Sequence, residues 1–280
     1  RGLIAGLAQE MEPGGDEIVL FGNGREEDLP VAGRMTRVRL HRPRRAITLW
    51  DQIAWAPALA RRGVTIFHSP FYAVPRLRPP SCRVVQTIHD LTPLKLPGTV
   101  SRRNAWLFRI NFRLARGADR IIVPSEATRT DAVTLLGIPA AKIAVIPEAA
   151  DITPAEVAAS EDHAAEVISR LGIHGRYLLH TGGHDIVKNL PRLLDALAVL
   201  ARQGRQIDLV VTGEHGPGTE DLIGRAAVPG LQGRVRLPGF VPRSDLIALY
   251  RGASVVVYPS LTEGFGLPVL EAMACGAPVV

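Results

Sequence analysis

Short apolar runs alternate along the chain with stretches whose apolar residues recur every three or four positions, the pattern of βα units feeding a parallel sheet. The first set predicts strands at Glu17–Phe21, Arg37–Leu40, Val64–His68, Val84–Ile88, Arg120–Val123 and Ile143–Ile146, with helices at Leu49–Arg61, Arg102–Arg116 and Glu126–Leu136. The rhythm lapses over Pro147–Asp162, which holds Pro147, Pro154 and several acids and is read as a linker. A second set follows. It predicts strands at Tyr177–Thr181, Ile207–Thr212, Val235–Leu237 and Ser254–Tyr258, with helices near Ala164–Leu171, Leu190–Gln203, Thr219–Ala227, Ser244–Tyr250 and Val269–Ala274. The expected fold class is therefore α/β, with one doubly wound domain over residues 1–150 and another over 151–280. Leu3, Ile4 and Leu7 read as a helix already under way, and Ala277–Val280 as a strand only begun, so the chain is expected to be truncated at both ends.

Composition narrows the class. With 280 residues and 46% hydrophobic content the chain can bury two cores, and runs such as Ala253–Tyr258 are far shorter than the ~20 residues a membrane span needs. Cys82 and Cys275 are too few for a disulfide framework; they read as buried small hydrophobes in a reducing, cytoplasmic setting. Of 33 basic residues only Lys95, Lys142 and Lys188 are lysines, so a lysine in a ligand loop carries weight. Arg34, Arg37, Arg39, Arg42, Arg44 and Arg45 form a basic stretch that either faces an anionic lipid surface or nucleic acid, or is a plain solvated face.

The candidate chemistry lies at strand ends. Glu263-Gly264-Phe265-Gly266-Leu267-Pro268 opens a helix after the strand ending at Tyr258, with Glu271 one turn in. Glycines without Cβ, a helix-opening proline and free first-turn N–H groups suit an anion such as a diphosphate. The plainer alternative is an ordinary turn with both glutamates solvated. Glu271 sits on a mostly apolar helix, where a carboxylate needs a hydrogen-bond partner. After the strand Tyr177–Thr181, the amides of Gly182 and Gly183 and the ammonium of Lys188 can hold phosphate oxygens without a metal. His180 and His184 flank a strand end and not one helix face, so a zinc site is rejected.

In the first half, Val84–Ile88 leads into His89 and Asp90. His89 either lines the cleft or caps the strand, and Asp90 either joins it or caps the turn at Thr92-Pro93. The sequence has no Asp-x-Asp, no Walker phosphate loop, no Gly-x-Ser-x-Gly elbow and no Gly-x-Gly-x-x-Gly after a strand, which removes the main support for ATPase, serine hydrolase and NAD-dehydrogenase readings.

Taken together, Ile88–Pro93 (I-H-D-L-T-P), Ala118–Glu126, Lys188–Pro191 (K-N-L-P), Gly239–Pro242 (G-F-V-P) and the E-x7-E of Glu263 and Glu271 resemble the retaining family 4, or group 1, glycosyltransferases of GT-B fold. The His-Asp-Leu-Thr-Pro version is similar to mannosyltransferases of bacterial polysaccharide assembly. The resemblance implies two Rossmann-like domains facing across a cleft, acceptor on the first and donor on the second. It implies that Glu271 binds ribose hydroxyls, Glu263 binds sugar hydroxyls, and the amides of Phe265, Gly266 and Leu267 meet sugar and phosphate. Lys188 would neutralise the departing diphosphate, His89 would line the sugar pocket, and the backbone at Phe240 and Val241 would flank the base. The family usually has Arg where this chain has Val187; Arg243 or Arg192 could substitute.

The function expected is metal-independent, retaining transfer from an NDP-sugar, with GDP-mannose the leading donor, to a glycan or lipid-linked acceptor, with no cofactor beyond the co-substrate. Peripheral contact with an anionic membrane at its inner face is part of that expectation, and nucleic acid is not. Val187 and the missing ends motivate the rival reading, a degenerate GT-B module that binds a nucleotide or partner without turnover.

Overall fold

The structure is a computed structural model that describes residues 2–11, 15–22, 35–39, 55–70, 74–75 and 77–280. By compactness the chain divides into two units, Arg1–Ser69 with Ala73–Val84, and Pro70–Tyr72 with Val85–Val280. Arg34, Arg42, Arg44 and Arg45 of the basic stretch, and residues 49–54 of the expected helix, lie outside the described residues.

The first unit contains helix α1 (Gly2–Glu10), parallel strands β1 (Ile18–Gly22) and β2 (Met35–Arg39) with Ile18 opposite Met35, helix α2 (residues 55–61) and strand β3 (Ile66–Ser69). Trp55 of α2 packs edge-on to Phe21 at 5.3 Å between centroids and tilted on Phe67 at 4.7 Å, so three aromatic rings hold helix to strands. Strand β4 (Arg83–Thr87) begins here, with Arg83 N–H donating to Thr65 O at 2.8 Å.

β4 continues into the second unit, where Val85 lies opposite Arg120 of β5 (Arg120–Val123) and Ile121 opposite Ile143 of β6 (Ile143–Val145), all parallel. The helices among them are α3 (Thr92–Lys95), α4 (Arg102–Ala115) and α5 (Glu126–Leu136). Ser125 caps α5 by accepting the Thr128 N–H, and Gly137 ends it at φ 62°, a left-handed conformation cheap only for glycine. Residues expected as linker contain a helix, α6 (Pro154–Ala159), which leads into α7 (Glu161–Arg170). Its start is a capping box between Thr153 and Glu156 with Pro154 in the first turn; the proline that suggested a break is one that opens a helix.

The remaining elements are β7 (Tyr177–Thr181), α8 (Leu190–Arg202), β8 (Asp208–Thr212), α9 (Thr219–Ala226), β9 (Val235–Gly239), α10 (Arg243–Gly252), β10 (Val255–Val256) and α11 (Leu267–Ala274). The sheet is parallel in the order β10-β7-β8-β9. Leu209, Val210 and Val211 of β8 are buried in succession, as strands covered on both faces must be. On one face Leu190, Leu193, Leu194 and Leu197 form the inner stripe of α8 against Leu209, Val211, Leu222 and Leu231, each buried leucine contributing about 2 kcal/mol by the area it removes from water. On the other, Ile247 to Tyr250 of α10 pack on Tyr177, Leu179 and Val210.

β10 is regular over only two residues, yet the ladder goes on: Val257 N–H reaches Leu179 O at 2.8 Å, and Val256 N–H reaches Pro278 O at 2.8 Å. Val279 bridges Val256 in parallel, in line with the strand expected to begin at Ala277. The strand order decides where a ligand can sit. The chain steps outward from β7 to β9, then returns to the other side of β7 for β10, so the strand order reverses between β7 and β10, a topological switch point of the kind where open α/β sheets bind ligands.

Candidate functional site

The loop leaving β7 carries Lys188 at the end of a short 3₁₀ turn, Ile186–Lys188, and α8 starts directly after Asn189. Two bonds tie this loop to the one leaving β10: Leu261 N–H donates to Val187 O at 2.8 Å, and Asn189 Nδ2 to Pro259 O at 3.2 Å. Held this way, Lys188 Nζ donates to Glu263 Oε1 at 2.7 Å and to the Tyr258 hydroxyl at 2.9 Å. Burial alone would lower the Lys188 pKa, but the bonds from Glu263 and Tyr258 outweigh it and raise it above the ordinary lysine value. The ammonium is thus a fixed positive charge at the switch point.

His180, on β7, is fully buried, donates through Nδ1 to Val257 O at 2.9 Å and stacks on Tyr258. Burial drives its pKa down to about 4, so near neutral pH it adds no charge beside Lys188.

Glu271 has the partner its apolar helix demands. Thr181 Oγ1 and the buried Tyr250 hydroxyl lie 2.9 Å apart, and the hydroxyl donates to Glu271 Oε2 at 3.0 Å. A carboxylate only accepts, so the Tyr250 proton goes to Glu271 and Thr181 supplies the other bond. This orients the carboxylate from below and leaves its second oxygen for a ligand.

The turn between Glu263 and Glu271 corrects one expectation. Gly264 lacks a Cβ because the His89 backbone is there: a methyl group at Gly264 would overlap the His89 carbonyl oxygen. The glycine makes room for protein and not for ligand. Gly266 is needed for conformation, at φ 101° where an L side chain is strained. Its turn leads straight into α11, which begins at Leu267 with Pro268 in the first turn.

The same close approach brings His89 to the site. Its Nδ1 lies 2.7 Å from Glu148 Oε1 and its Nε2 3.0 Å from Pro70 O, which can only accept. Asp90 takes the capping alternative, with Oδ1 accepting the Thr92 N–H at 2.9 Å. A second correction concerns the glycine pair after β7. Gly182 N–H is already bonded to Thr212 O at 3.0 Å, because the β7–β8 ladder runs one residue past the strand. Gly183 N–H has no acceptor among the described residues.

At the end of β9, Phe240 is 79% exposed, while Val241 turns inward against the core around Ile247. Arg243, a possible replacement for the arginine absent at Val187, is held by Glu156 through bonds of 2.7 and 3.3 Å. Those bonds hold the Glu156 carboxyl down at about 2. Tyr258, Tyr250 and Glu148 went unseen in the sequence. Tyr258 ends an expected strand, where a polar tip meets a ligand loop, and that position is its available signal.

Two family models match the chain, Glycosyltransferase Family 4 over residues 3–153 and Glycosyl transferases group 1 over residues 172–280. The chain belongs to glycosyltransferase family 4. Among curated relatives, the O-antigen chain mannosyltransferase B of Escherichia coli is 32% identical over 222 residues, 77% of this chain and 56% of that protein. A D-inositol 3-phosphate glycosyltransferase of Kineococcus radiotolerans is 34% identical over 178 residues, 60% of this chain and 40% of that one. Among solved structures, Anabaena HepE in complex with UDP and glucose superposes with a TM-score of 0.56 at 26% identity, over 71% of this chain and 52% of its own. WaaG, a glycosyltransferase involved in lipopolysaccharide biosynthesis, shares the fold at a TM-score of 0.68 and 18% identity, over 99% of this chain and 74% of its own. The GT-B class expected from the motifs is the class these family 4 relatives show. The chain spans about half the length of the curated relatives and of HepE.

Proposed function

We propose that the protein moves a hexose from a nucleoside diphosphate sugar to a hydroxyl of a glycan or lipid-linked acceptor, with retention at the anomeric carbon and without a metal ion. The observation that carries this reading is the Lys188–Glu263 pair at the β7–β10 switch point, 2.7 Å apart, beside the N-terminus of α11. A fixed ammonium and first-turn N–H groups converge where a diphosphate would leave, and a carboxylate beside them suits sugar hydroxyls. Tyr250 aims Glu271 for a ribose, and the exposed ring of Phe240 offers a face to a base. His89 lines the sugar side. In the step proposed, the C1–O bond to the β-phosphate breaks as the acceptor oxygen bonds C1 from the same face, and the acceptor proton passes to the β-phosphate oxygen. Among family names, mannosyltransferase favours GDP-mannose; HepE was solved with UDP-glucose, which keeps uridine donors in the test.

The test is a thermal-shift screen of the full-length protein with GDP-mannose, UDP-glucose and UDP-N-acetylglucosamine, in EDTA. A donor at a hundred times its Kd should add about 2.7 kcal/mol, a shift of a few degrees. No shift with any donor sinks the reading. Binding without release of GDP or UDP over hours favours the non-catalytic module that Val187 suggests.

The membrane contact in this proposal rests on α4. Arg102, Trp106, Arg109 and Arg113 fall on one face at helical spacing, Trp106 is 62% exposed, and none of these arginines has an acidic partner among the described residues. No described helix is long and apolar enough to cross a membrane. The protein should co-sediment with vesicles containing phosphatidylglycerol and not with phosphatidylcholine alone. Arg109→Glu with Arg113→Glu should release it; retention by the double variant argues against α4 as the contact.

A further inference from the structure

The peptide between Gly264 and Phe265 is gripped from one side by the cap of α5. Ser125 Oγ donates to Gly264 O at 2.6 Å, and Thr128 Oγ1 lies 3.1 Å from the same oxygen. Ser125 also accepts the Thr128 N–H at 3.1 Å, so its lone pair serves the helix and its proton serves the loop. Thr128 is 2% exposed, so water does not compete for its hydroxyl.

A trans peptide is planar, so the Gly264 carbonyl and the Phe265 N–H point in opposite directions. Pinning the carbonyl to α5 turns the amide away from α5. That N–H has no acceptor among the described residues. A carbonyl that accepts two hydrogen bonds also polarises its peptide, which strengthens the amide as a donor. The residue before this peptide is Glu263, itself fixed by Lys188. One short loop therefore carries an anchored carboxylate and an anchored N–H, and the second anchor comes from a cap 139 residues away.

We propose that Ser125 and Thr128 are positioning residues that aim and polarise the Phe265 N–H toward the transferred sugar or its phosphate. This rests on the nucleotide-sugar reading above, and neither hydroxyl touches the donor.

The test separates capping from aiming. Ser125→Asp keeps an oxygen to cap α5 but has no proton for Gly264 O, and Thr128→Val keeps the shape without the hydroxyl. In the full-length protein without ligand, amide exchange over residues 262–267 should quicken by about tenfold in each variant, the loss of one hydrogen bond's hold. With GDP-mannose or UDP-glucose as donor, kcat should fall about tenfold while the Kd for free GDP or UDP changes by less than about twofold, as for a donor that acts mainly in the transition state. Ser125→Thr and Thr128→Ser should keep both properties near wild type. Unchanged exchange overturns the grip whatever the activity; quickened exchange with wild-type kcat overturns the positioning role. A wild type that releases nucleotide from neither donor overturns the transfer reading and this role together, and is recognised because the exchange comparison needs no donor.

Discussion

Lys188→Ala is expected to lower donor turnover by two to three orders of magnitude, about the loss that follows removal of one preorganised electrostatic group at a site of developing charge. In the proposed reaction the ammonium needs no reorganisation as the diphosphate departs, because Glu263 at 2.7 Å and Tyr258 at 2.9 Å already hold it in place. Removing it subtracts that charge and also leaves the Glu263 carboxylate without its cation, in a half-buried place where an unpaired anion is costly. Arginine is a poor replacement, because its planar fork cannot occupy the point between a carboxylate and a hydroxyl that a compact ammonium fills. Steady-state release of GDP or UDP from the full-length protein checks it. The sign of the pH dependence follows from the raised Lys188 pKa. Whatever stability the pair contributes is present below the ordinary lysine value and lost as pH rises through the higher folded value. From pH 5 to 9 the variant and the wild type should therefore differ by a constant amount. A fall of less than about tenfold in kcat would mean that the diphosphate is stabilised elsewhere, by Arg192 or the α11 amides.

The hydrophobic pattern made most of the fold legible. β5, α5 and β7 begin and end where the apolar pattern puts them. α6 is hidden in the sequence because Pro154 reads as a break, although Thr153 and Glu156 around it spell a capping box. The site divides in the same way. Residues adjacent to a glycine turn, Lys188, Glu263 and Glu271, carry their signal locally, and the fold sets Lys188 and Glu263 in contact. Their supports do not. Tyr250 meets Glu271 because α10 and α11 pack on one face of the sheet, and Glu148 meets His89 across 59 residues. Such partners are chosen by three-dimensional packing, which no local spacing records. Gly182 shows the converse: its place in a turn suggested a free amide, and only the extended β7–β8 ladder reveals that Thr212 has taken it.

Gly264→Ala is the sharper probe, because the added methyl has nowhere to go. It would overlap the carbonyl oxygen of His89 and press on Asp90 Cβ, and a backbone carbonyl at a strand end cannot swing aside as a side chain can. The loop must retreat, and a displacement on the order of 1 Å at a group that positions substrate costs about a hundredfold in rate. The expected result is a fall in kcat of that size, with a loss of about 1–3 kcal/mol in stability from overpacking, read as a lower Tm. Gly266→Ala is the contrast. There the nearest atom, in Val269, is at ordinary contact distance, so the penalty is conformational, about 1–2 kcal/mol for a left-handed φ of 101°, with no atom displaced. Because the obstacle at Gly264 is main chain, shrinking the neighbouring side chain with His89→Ala cannot relieve it: the double variant should be no more stable than Gly264→Ala. Recovery of Tm in that double variant, or wild-type turnover in the single one, would show that the loop does not rest on the segment that follows β4, and the close approach of His89 to Gly264 would lose its structural role.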